Sequence, residues 1–242
     1  MSSEYNLYEP LLDKYEEEEI DKEIQQNIRE GFIVKVYGIL ACQLLLLFLI
    51  VLLGFINSTF HELLLTSKFI YILTFILFIM CILIIIFNPS LLQKVPINYI
   101  ILFIFTFSYS WWIALYTINF SPSIVLISIF LTLVTVVTLT IYAQMTKNDF
   151  SVIGGILINS FVLLLSCSLV LIFVDISLFN VIMVFFGLII FSLYLLFDVQ
   201  LVIGKGQIKY GEDDYIFAAL NLYIDIIGIF VRILELVGNN NN

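Results

Sequence analysis

Long apolar runs, separated by short polar connections, make up most of this chain. Seven such runs follow a polar N-terminal stretch, and about 20 apolar residues are enough for a helix to cross roughly 30 Å of hydrocarbon. The runs lack the alternation of apolar and polar residues that marks the strands of a membrane β-barrel. The pattern predicts an all-α polytopic membrane protein, a seven-helix transmembrane bundle with spans at residues 32–56, 69–87, 97–118, 122–143, 150–173, 178–203 and 215–237.

The chain divides into three parts on this pattern. Residues 1–31 form an acidic head that we expect to be disordered, residues 32–238 form the membrane domain, and residues 239–242 form a short asparagine tail. Residues 1–30 hold ten acidic and three basic side chains, so their net charge is −7 of the −9 carried by the whole chain. Because the first apolar run begins only near Phe32, it is expected to be an uncleaved signal anchor.

Composition narrows the possible partners. With 62% hydrophobic and 12% charged residues, the chain does not have the composition of a water-soluble domain, so the lipid bilayer is its first expected partner. The acidic head offers no basic surface for phosphate groups, which argues against nucleic acid. Cys42, Cys81 and Cys167 lie in three different apolar runs and His61 has no neighbouring ligand, so we expect no cofactor, disulfide or tight metal site.

The charges of the connections predict the orientation. The connections near residues 119–121 and 174–177 contain no lysine or arginine. Lysines lie instead in the alternate connections, at Lys94, Lys147, Lys205 and Lys209. This positive-inside pattern predicts a cytosolic N-terminus. The pattern does not determine on which side of the membrane the C-terminus lies, because the last run either crosses the membrane completely or returns as a re-entrant hairpin.

Two aspartates lie inside apolar runs, where a carboxylate costs at least about 2.5 kcal/mol and is a functional candidate by default. Counted at about 1.5 Å per residue from the connection between the last two runs, Asp198 lies roughly 9 Å deep and Asp225 roughly 15 Å deep. Two carboxyl groups at comparable depth are expected to share a proton. We predict a pH-sensitive latch that holds the two helices together when protonated and exposes oxygens to a cation path when deprotonated.

In a simpler alternative, each aspartate is hydrogen-bonded by a side chain one helical turn back, Asp198 by Tyr194 and Asp225 by Asn221.

The last run also has a polar stripe on an otherwise apolar helix, which predicts that this helix is central and buried in protein. Its members are Asn221, Asp225, Gly228, Arg232 and Glu235. Of these, Arg232 is a supporting polar candidate, although Arg232 and Glu235 are expected chiefly to neutralise each other.

Three blocks of sequence carry a family resemblance. The stretch FDVQLVIGKGQIKYGEDDYIFAALNLYIDIIGIF, together with FIVKVYGILACQLL and TLTIYAQMTKNDFS, resembles the transmembrane Bax-inhibitor-motif family in its Lifeguard branch. The resemblance covers roughly residues 30–238 and leaves out the acidic head.

The resemblance implies a fold and a function. It implies a seven-helix bundle with the last helix at its centre and a pH-sensing aspartate pair that controls calcium leak, at the positions of Asp198 and Asp225. It also implies residence in the endoplasmic reticulum or Golgi membrane, passive release of stored calcium and protons as a controlling ligand. Dampening of programmed cell death is implied as well.

Three classes of function follow from these observations. Calcium binds six to eight oxygens, so a pair of aspartates suits the transit of calcium better than tight binding, and a slow leak channel or exchanger is favoured. A non-conducting regulator of calcium channels or death-regulating proteins is the alternative, with the acidic head as its contact. An aspartyl intramembrane protease is a remote alternative, because Asp225 lacks flanking glycines; we expect the chain not to be an enzyme.

Overall fold

The computed structural model describes the backbone of residues 2–171 and 177–239, and the side chains of residues 19–168 and 179–238. The end of the fifth predicted run, most of the following connection and residues 240–242 of the asparagine tail lie outside the described residues. Within the described ranges the chain is helical and contains no β-strand. The α-helices are α1 Ser2–Ile56, α2 Ser58–Thr66, α3 Lys68–Phe87, α4 Ile97–Thr117, α5 Pro122–Met145, α6 Gly154–Leu171, α7 Ser177–Ile203 and α8 Tyr215–Asn239.

Seven of these helices contain a stretch long and apolar enough to cross a membrane, which confirms the predicted polytopic helical architecture. The short α2 is the exception. It follows α1 directly, and the side chain of Asn57 caps its first turn by accepting a hydrogen bond from the Phe60 amide at 2.9 Å. Two short 3₁₀ helices, Pro89–Gln93 and Phe150–Ile153, lead into α4 and α6.

The acidic head differs from the prediction of disorder. It is helical from Ser2 and continues without a break into the first span, so that α1 has 55 residues. The physical reason is the content of residues 11–30, which are rich in glutamate, lysine, glutamine and leucine, all strong helix formers. The apolar part of α1 supplies a helix already formed, so the head extends it without a new nucleation step.

The last helix lies at the centre of the bundle, as predicted. It packs against α1, α4, α5 and α7. The apolar core of α8 is 67% buried within the protein, compared with 11% for α3 at the periphery. Since lipid covers the outer helices, their exposed apolar side chains need no protein partner.

Helices α7 and α8 form an antiparallel hairpin, joined by residues 204–214. Gly204 begins this connection with a φ of +75°, a conformation that glycine adopts without steric penalty. Helix α8 then runs unbroken for 25 residues, about 37 Å of helix, which is long enough for a full crossing.

Candidate functional site

The hairpin of α7 and α8 brings Asp198 and Asp225 together. Asp198 lies five residues before the end of α7, and Asp225 lies ten residues after the start of α8. Each is 4% exposed, and the two carboxyl groups lie close enough together to interact electrostatically. Two buried carboxyl groups in such proximity cannot both ionise at low cost. An arrangement of this kind can hold one proton in common.

One oxygen of the aspartate pair lacks a hydrogen-bond donor among the described residues. Oδ2 of Asp225 is buried and has no hydrogen-bond partner among the described residues. A buried carboxyl oxygen without a donor is costly, and an unpaired group of this kind calls for an explanation. An oxygen kept free in the interior of the bundle is available to a proton or a passing cation.

Tyr210, in the connection between the two helices, closes one side of the pair. Its hydroxyl group donates to Oδ1 of Asp198 at 2.8 Å and accepts from Nδ2 of Asn221 at 2.8 Å. Burial, and then the charge of Asp198, hold the pKa of Tyr210 well above its usual value of 10.0. The phenol therefore stays a hydrogen-bond donor across the physiological pH range.

The supporting residues are arranged differently from the local alternative. Asp198 takes its hydrogen bond from Tyr210, and Asn221 reaches Tyr210, so neither aspartate is paired with the residue one turn back. No hydrogen bond joins Tyr194 to either carboxyl group in the described structure. Instead the Tyr194 ring meets Phe161 edge to face, with 6.2 Å between ring centroids.

Arg232 lies away from the aspartate pair. It forms an ion pair with Glu235 at 2.8 Å, one turn further along α8. Glu235 also accepts a hydrogen bond from the hydroxyl group of Tyr116 at 3.1 Å. Arg232 is seven residues beyond Asp225, about 10 Å along the helix, so it belongs to a separate polar cluster.

Residues 204–214, here called the plug loop, are held from the side of α1 by Arg29. Its Nη1 donates to the carbonyl oxygen of Tyr210 at 2.8 Å, and its Nη2 donates to the carbonyl oxygen of Leu201. A Cβ on Gly204 would lie 2.8 Å from Nε of Arg29, so only glycine leaves room for the guanidinium group. Arg29 thus fixes the backbone of the residue that covers the pair.

The opposite side of the plug loop is held by the connection between α5 and α6. Asp149 accepts hydrogen bonds from the Ser151 amide at 2.9 Å and the Gln207 amide at 3.0 Å. The side chain of Ser151 first, and then the amide of Gln207, lower the pKa of Asp149 from its usual value of 3.8 by hydrogen bonding to the carboxylate. The carboxylate therefore stays ionised, and the anchor intact, throughout the neutral range.

Gln200 joins α7 to the same connection. Its Nε2 donates to the carbonyl oxygen of Asn148 at 2.9 Å, and its Oε1 accepts from the amide of Phe150 at 2.7 Å. Because Gln200 is two residues after Asp198, the end of α7 that carries the aspartate is fixed from two directions.

The site offers carboxyl and phenol oxygens in the interior of the bundle. No group of three or more histidine, cysteine, aspartate or glutamate side chains that could hold a metal ion occurs among the described residues. Two carboxyl groups are fewer ligands than the six to eight oxygens of a calcium site. The arrangement can hold or release a proton and can present oxygens transiently to a cation.

The sequence analysis did not single out Tyr210, Arg29, Asp149 or Gln200. Tyr210 and Asp149 lie in polar connections with no helical periodicity, Gln200 lies in an otherwise apolar stretch of α7, and Arg29 was counted only as a positive charge before the first span. Tyr210 could have been found as an aromatic residue in a polar, glycine-containing connection between the two candidate aspartates, because a large ring in a surface loop suggests a contact with the rest of the protein.

Comparison with known proteins shows extensive similarity. Residues 29–242 match the family described as "Inhibitor of apoptosis-promoting Bax1". The chain is 32% identical to Bax inhibitor 1 of Schizosaccharomyces pombe, over 99% of this chain and 90% of that protein. It is 30% identical to protein lifeguard 3 of Homo sapiens, over 89% of this chain and 71% of that protein. It is 33% identical to a BI1-like protein of Arabidopsis thaliana, over 90% and 84% respectively.

Proposed function

The chain belongs to the Bax-inhibitor-motif family, in its Lifeguard branch, and from this premise we propose that Asp198 and Asp225 control a pH-sensitive leak of calcium. The family consists of membrane proteins that regulate apoptosis. The proposal adds the activity, a slow channel or exchanger, and the residues that carry it.

The observation that carries the proposal is the proximity of two buried carboxyl groups on two antiparallel helices. A buried ionisable group inside a membrane protein is expensive and marks ion or proton pathways more often than structural positions. The unpartnered Oδ2 of Asp225 supports a role in transit, because a purely structural pair would have its oxygens satisfied.

The direction of the pH dependence follows from the contact. While the two carboxyl groups share a proton, a hydrogen bond holds α7 to α8, and Tyr210 covers the pair. When the proton leaves, two negative charges face each other in a medium of low dielectric constant and repel. We therefore expect the leak to be slow at acidic pH and to rise as the pair loses its proton.

The physiological role follows from the leak. Passive flux out of the endoplasmic reticulum or Golgi would lower stored calcium, and less calcium would then be available to promote programmed cell death. The N-terminus and the plug loop would face the cytosol, so that cytosolic pH would act on the pair.

The test is calcium efflux from proteoliposomes of the full chain between about pH 5 and about pH 8, the range in which a shared proton can titrate. Wild type is compared with Asp198→Asn and Asp225→Asn. Asp213→Asn is the matched control, since it makes the same chemical change at an exposed position of the plug loop. We expect a pH-dependent flux in wild type and in the control, and a flux that both aspartate variants make independent of pH.

The outcome separates the candidate functions. Flux no greater than that of empty liposomes at every pH would contradict the leak and favour a non-conducting regulator that binds calcium channels or death-regulating proteins. Cleavage of a transmembrane peptide, lost in both aspartate variants, would instead favour the aspartyl protease.

A further inference from the structure

The N-terminal part of α1 carries an exposed apolar face. Ile20, Ile24 and Ile28 recur every four residues, and their exposed fractions are 56%, 48% and 37%. Residues four apart lie one above the other on a helix, so the three side chains form a continuous stripe of two turns. We call this stripe the isoleucine face.

The isoleucine face lies outside the hydrocarbon. About 20 residues suffice to cross the membrane, whereas α1 is 55 residues long and its apolar part begins near Phe32. The same four-residue register continues as Phe32, Val36 and Leu40, which are buried in the bundle. The bundle therefore covers the continuation of the stripe but leaves the isoleucine face uncovered in water.

The surroundings of the isoleucine face are acidic. Between residues 19 and 30 the exposed acidic side chains outnumber the basic ones, and the preceding residues add a further run of glutamates. The acidic residues of this segment are Glu19, Asp21, Glu23 and Glu30. This charge repels the anionic lipid of a membrane surface and the identical face of a second copy, and it attracts a basic partner.

A cavity of about 400 Å³ adjoins the isoleucine face where it meets the plug loop. Gln25, Ile28 and Arg29 line it from α1, and Lys209, Glu212 and Asp213 line it from the plug loop. The guanidinium group of Arg29 is already directed at two backbone carbonyls, so it does not fill this space. The carboxylates of Glu212 and Asp213 can receive a basic side chain from a ligand on the isoleucine face.

We propose that the isoleucine face is a docking surface for a basic amphipathic helix of a partner protein. An amphipathic helix that binds along an apolar surface uses apolar side chains at spacings of three and four residues as anchors. The charges that flank these anchors determine which partner is bound. The inference does not require the calcium leak, because binding to the surface of α1 is measured without flux, although the adjoining cavity shares Arg29 and Tyr210 with the candidate site.

The test uses the full chain in nanodiscs of neutral phosphatidylcholine and a fluorescent synthetic helix with leucines at spacings of three and four and lysines on both flanks. Binding is followed by fluorescence anisotropy, with empty nanodiscs and a peptide of scrambled order as controls. Ile24→Gln removes the central anchor. Gln26→Ala is the matched variant, because Gln26 is about 200° around the helix from Ile24.

We expect saturable binding that weakens with salt, and a loss of about tenfold in affinity for Ile24→Gln, as for a central interface anchor, with little change for Gln26→Ala. Equal binding of the scrambled peptide, or unchanged binding by Ile24→Gln, would overturn the proposal. It would also be overturned by a dimer of the chain that Ile24→Gln dissolves, or by a preference of the head for anionic vesicles over the peptide.

Discussion

Tyr210 reaches from the plug loop into the bundle, and its hydroxyl group is bound on both sides. It donates to Asp198 and accepts from Asn221, so one phenol connects a loop, the end of α7 and the start of α8. Hydrogen bonds to charged groups contribute about 1.5–3 kcal/mol when buried. At the scale of single residues, Tyr210 is the group best placed to couple the loop to the protonation of the aspartate pair.

Replacing Tyr210 with phenylalanine keeps the ring and removes the hydroxyl group. We expect faster calcium efflux at acidic pH, because the plug loop loses its contact with the pair. Tyr215→Phe is the matched control; its hydroxyl group accepts from Nδ2 of Asn98 at 3.0 Å, apart from the aspartates. Efflux from Tyr210→Phe at the rate of Tyr215→Phe across the pH range would show that the phenol does not close the site.

Asp149, unlike the aspartate pair, is expected to keep its charge throughout the pH range of the efflux assay. Hydrogen bonds from Ser151 and Gln207 lower the pKa of Asp149 in the folded protein. The carboxylate therefore stabilises the folded state above its unfolded pKa of about 3.9. This stabilisation is lost as the pH falls through the lower pKa of the folded state. Between about pH 5 and pH 8 the carboxylate does not titrate. Asp149→Asn should therefore change the efflux rate by a similar factor at every pH in this range. A change in the midpoint of the pH profile would contradict that assignment.

Helices α7 and α8 owe their close approach to Gly228. A Cβ at this position would overlap the ring of Phe191 on α7, so a larger residue forces the helices apart. Small residues at helix crossings are the usual means of close packing within a membrane, where no hydrophobic effect drives helices together. At the scale of elements, the spacing of this hairpin also sets the distance between the two carboxyl groups.

The substitution Gly228→Ala tests this packing. We expect a loss of about 1–3 kcal/mol in the free energy of unfolding, the usual cost of overpacking, seen as a lower unfolding temperature in detergent. Gly155→Ala is the matched control, since nothing lies within 4 Å of a Cβ there. Equal melting temperatures for the two variants would indicate that α7 moves aside without cost.

Seven helices of the described residues are long and apolar enough to cross a membrane, and this odd number places the two ends on opposite sides if each helix crosses once. This arrangement places the acidic head and the plug loop on one side and the end of α8 on the other. Under the proposed mechanism, a proton shared by the aspartate pair would exchange with the compartment that the head faces, because Tyr210 covers the pair from the plug loop.

Cysteine labelling in sealed microsomes tests that topology. In a cysteine-free background, Glu23→Cys should react with an impermeant thiol reagent added outside, whereas Asn239→Cys should react only after permeabilisation. Labelling of both positions from the outside would mean that α8 does not cross the membrane. Labelling of Glu23→Cys only after permeabilisation would reverse the orientation predicted from the lysines.

The architecture was largely predictable from the local sequence pattern, because the length of each apolar run can be compared directly with the length of helix needed to cross the hydrocarbon. That Asp198 and Asp225 can lie near each other was predictable from helical rise, which converts position along each helix into distance. The partners of these aspartates were not. Local spacing pointed to Tyr194 and Asn221, but the folded chain supplies Tyr210 from a segment that has no periodicity.

The sequence by itself determined the helical class, the number of spans, the acidic charge of the head and the presence of two carboxyl groups at similar depth, because each depends on composition and on distance along a helix. Only the tertiary structure decided that Tyr210 covers the pair, that Arg29 and Asp149 hold the plug loop, and that Arg232 lies elsewhere. These contacts join residues from separate elements, and the packing of helices against one another, which no single segment encodes, sets which of them meet.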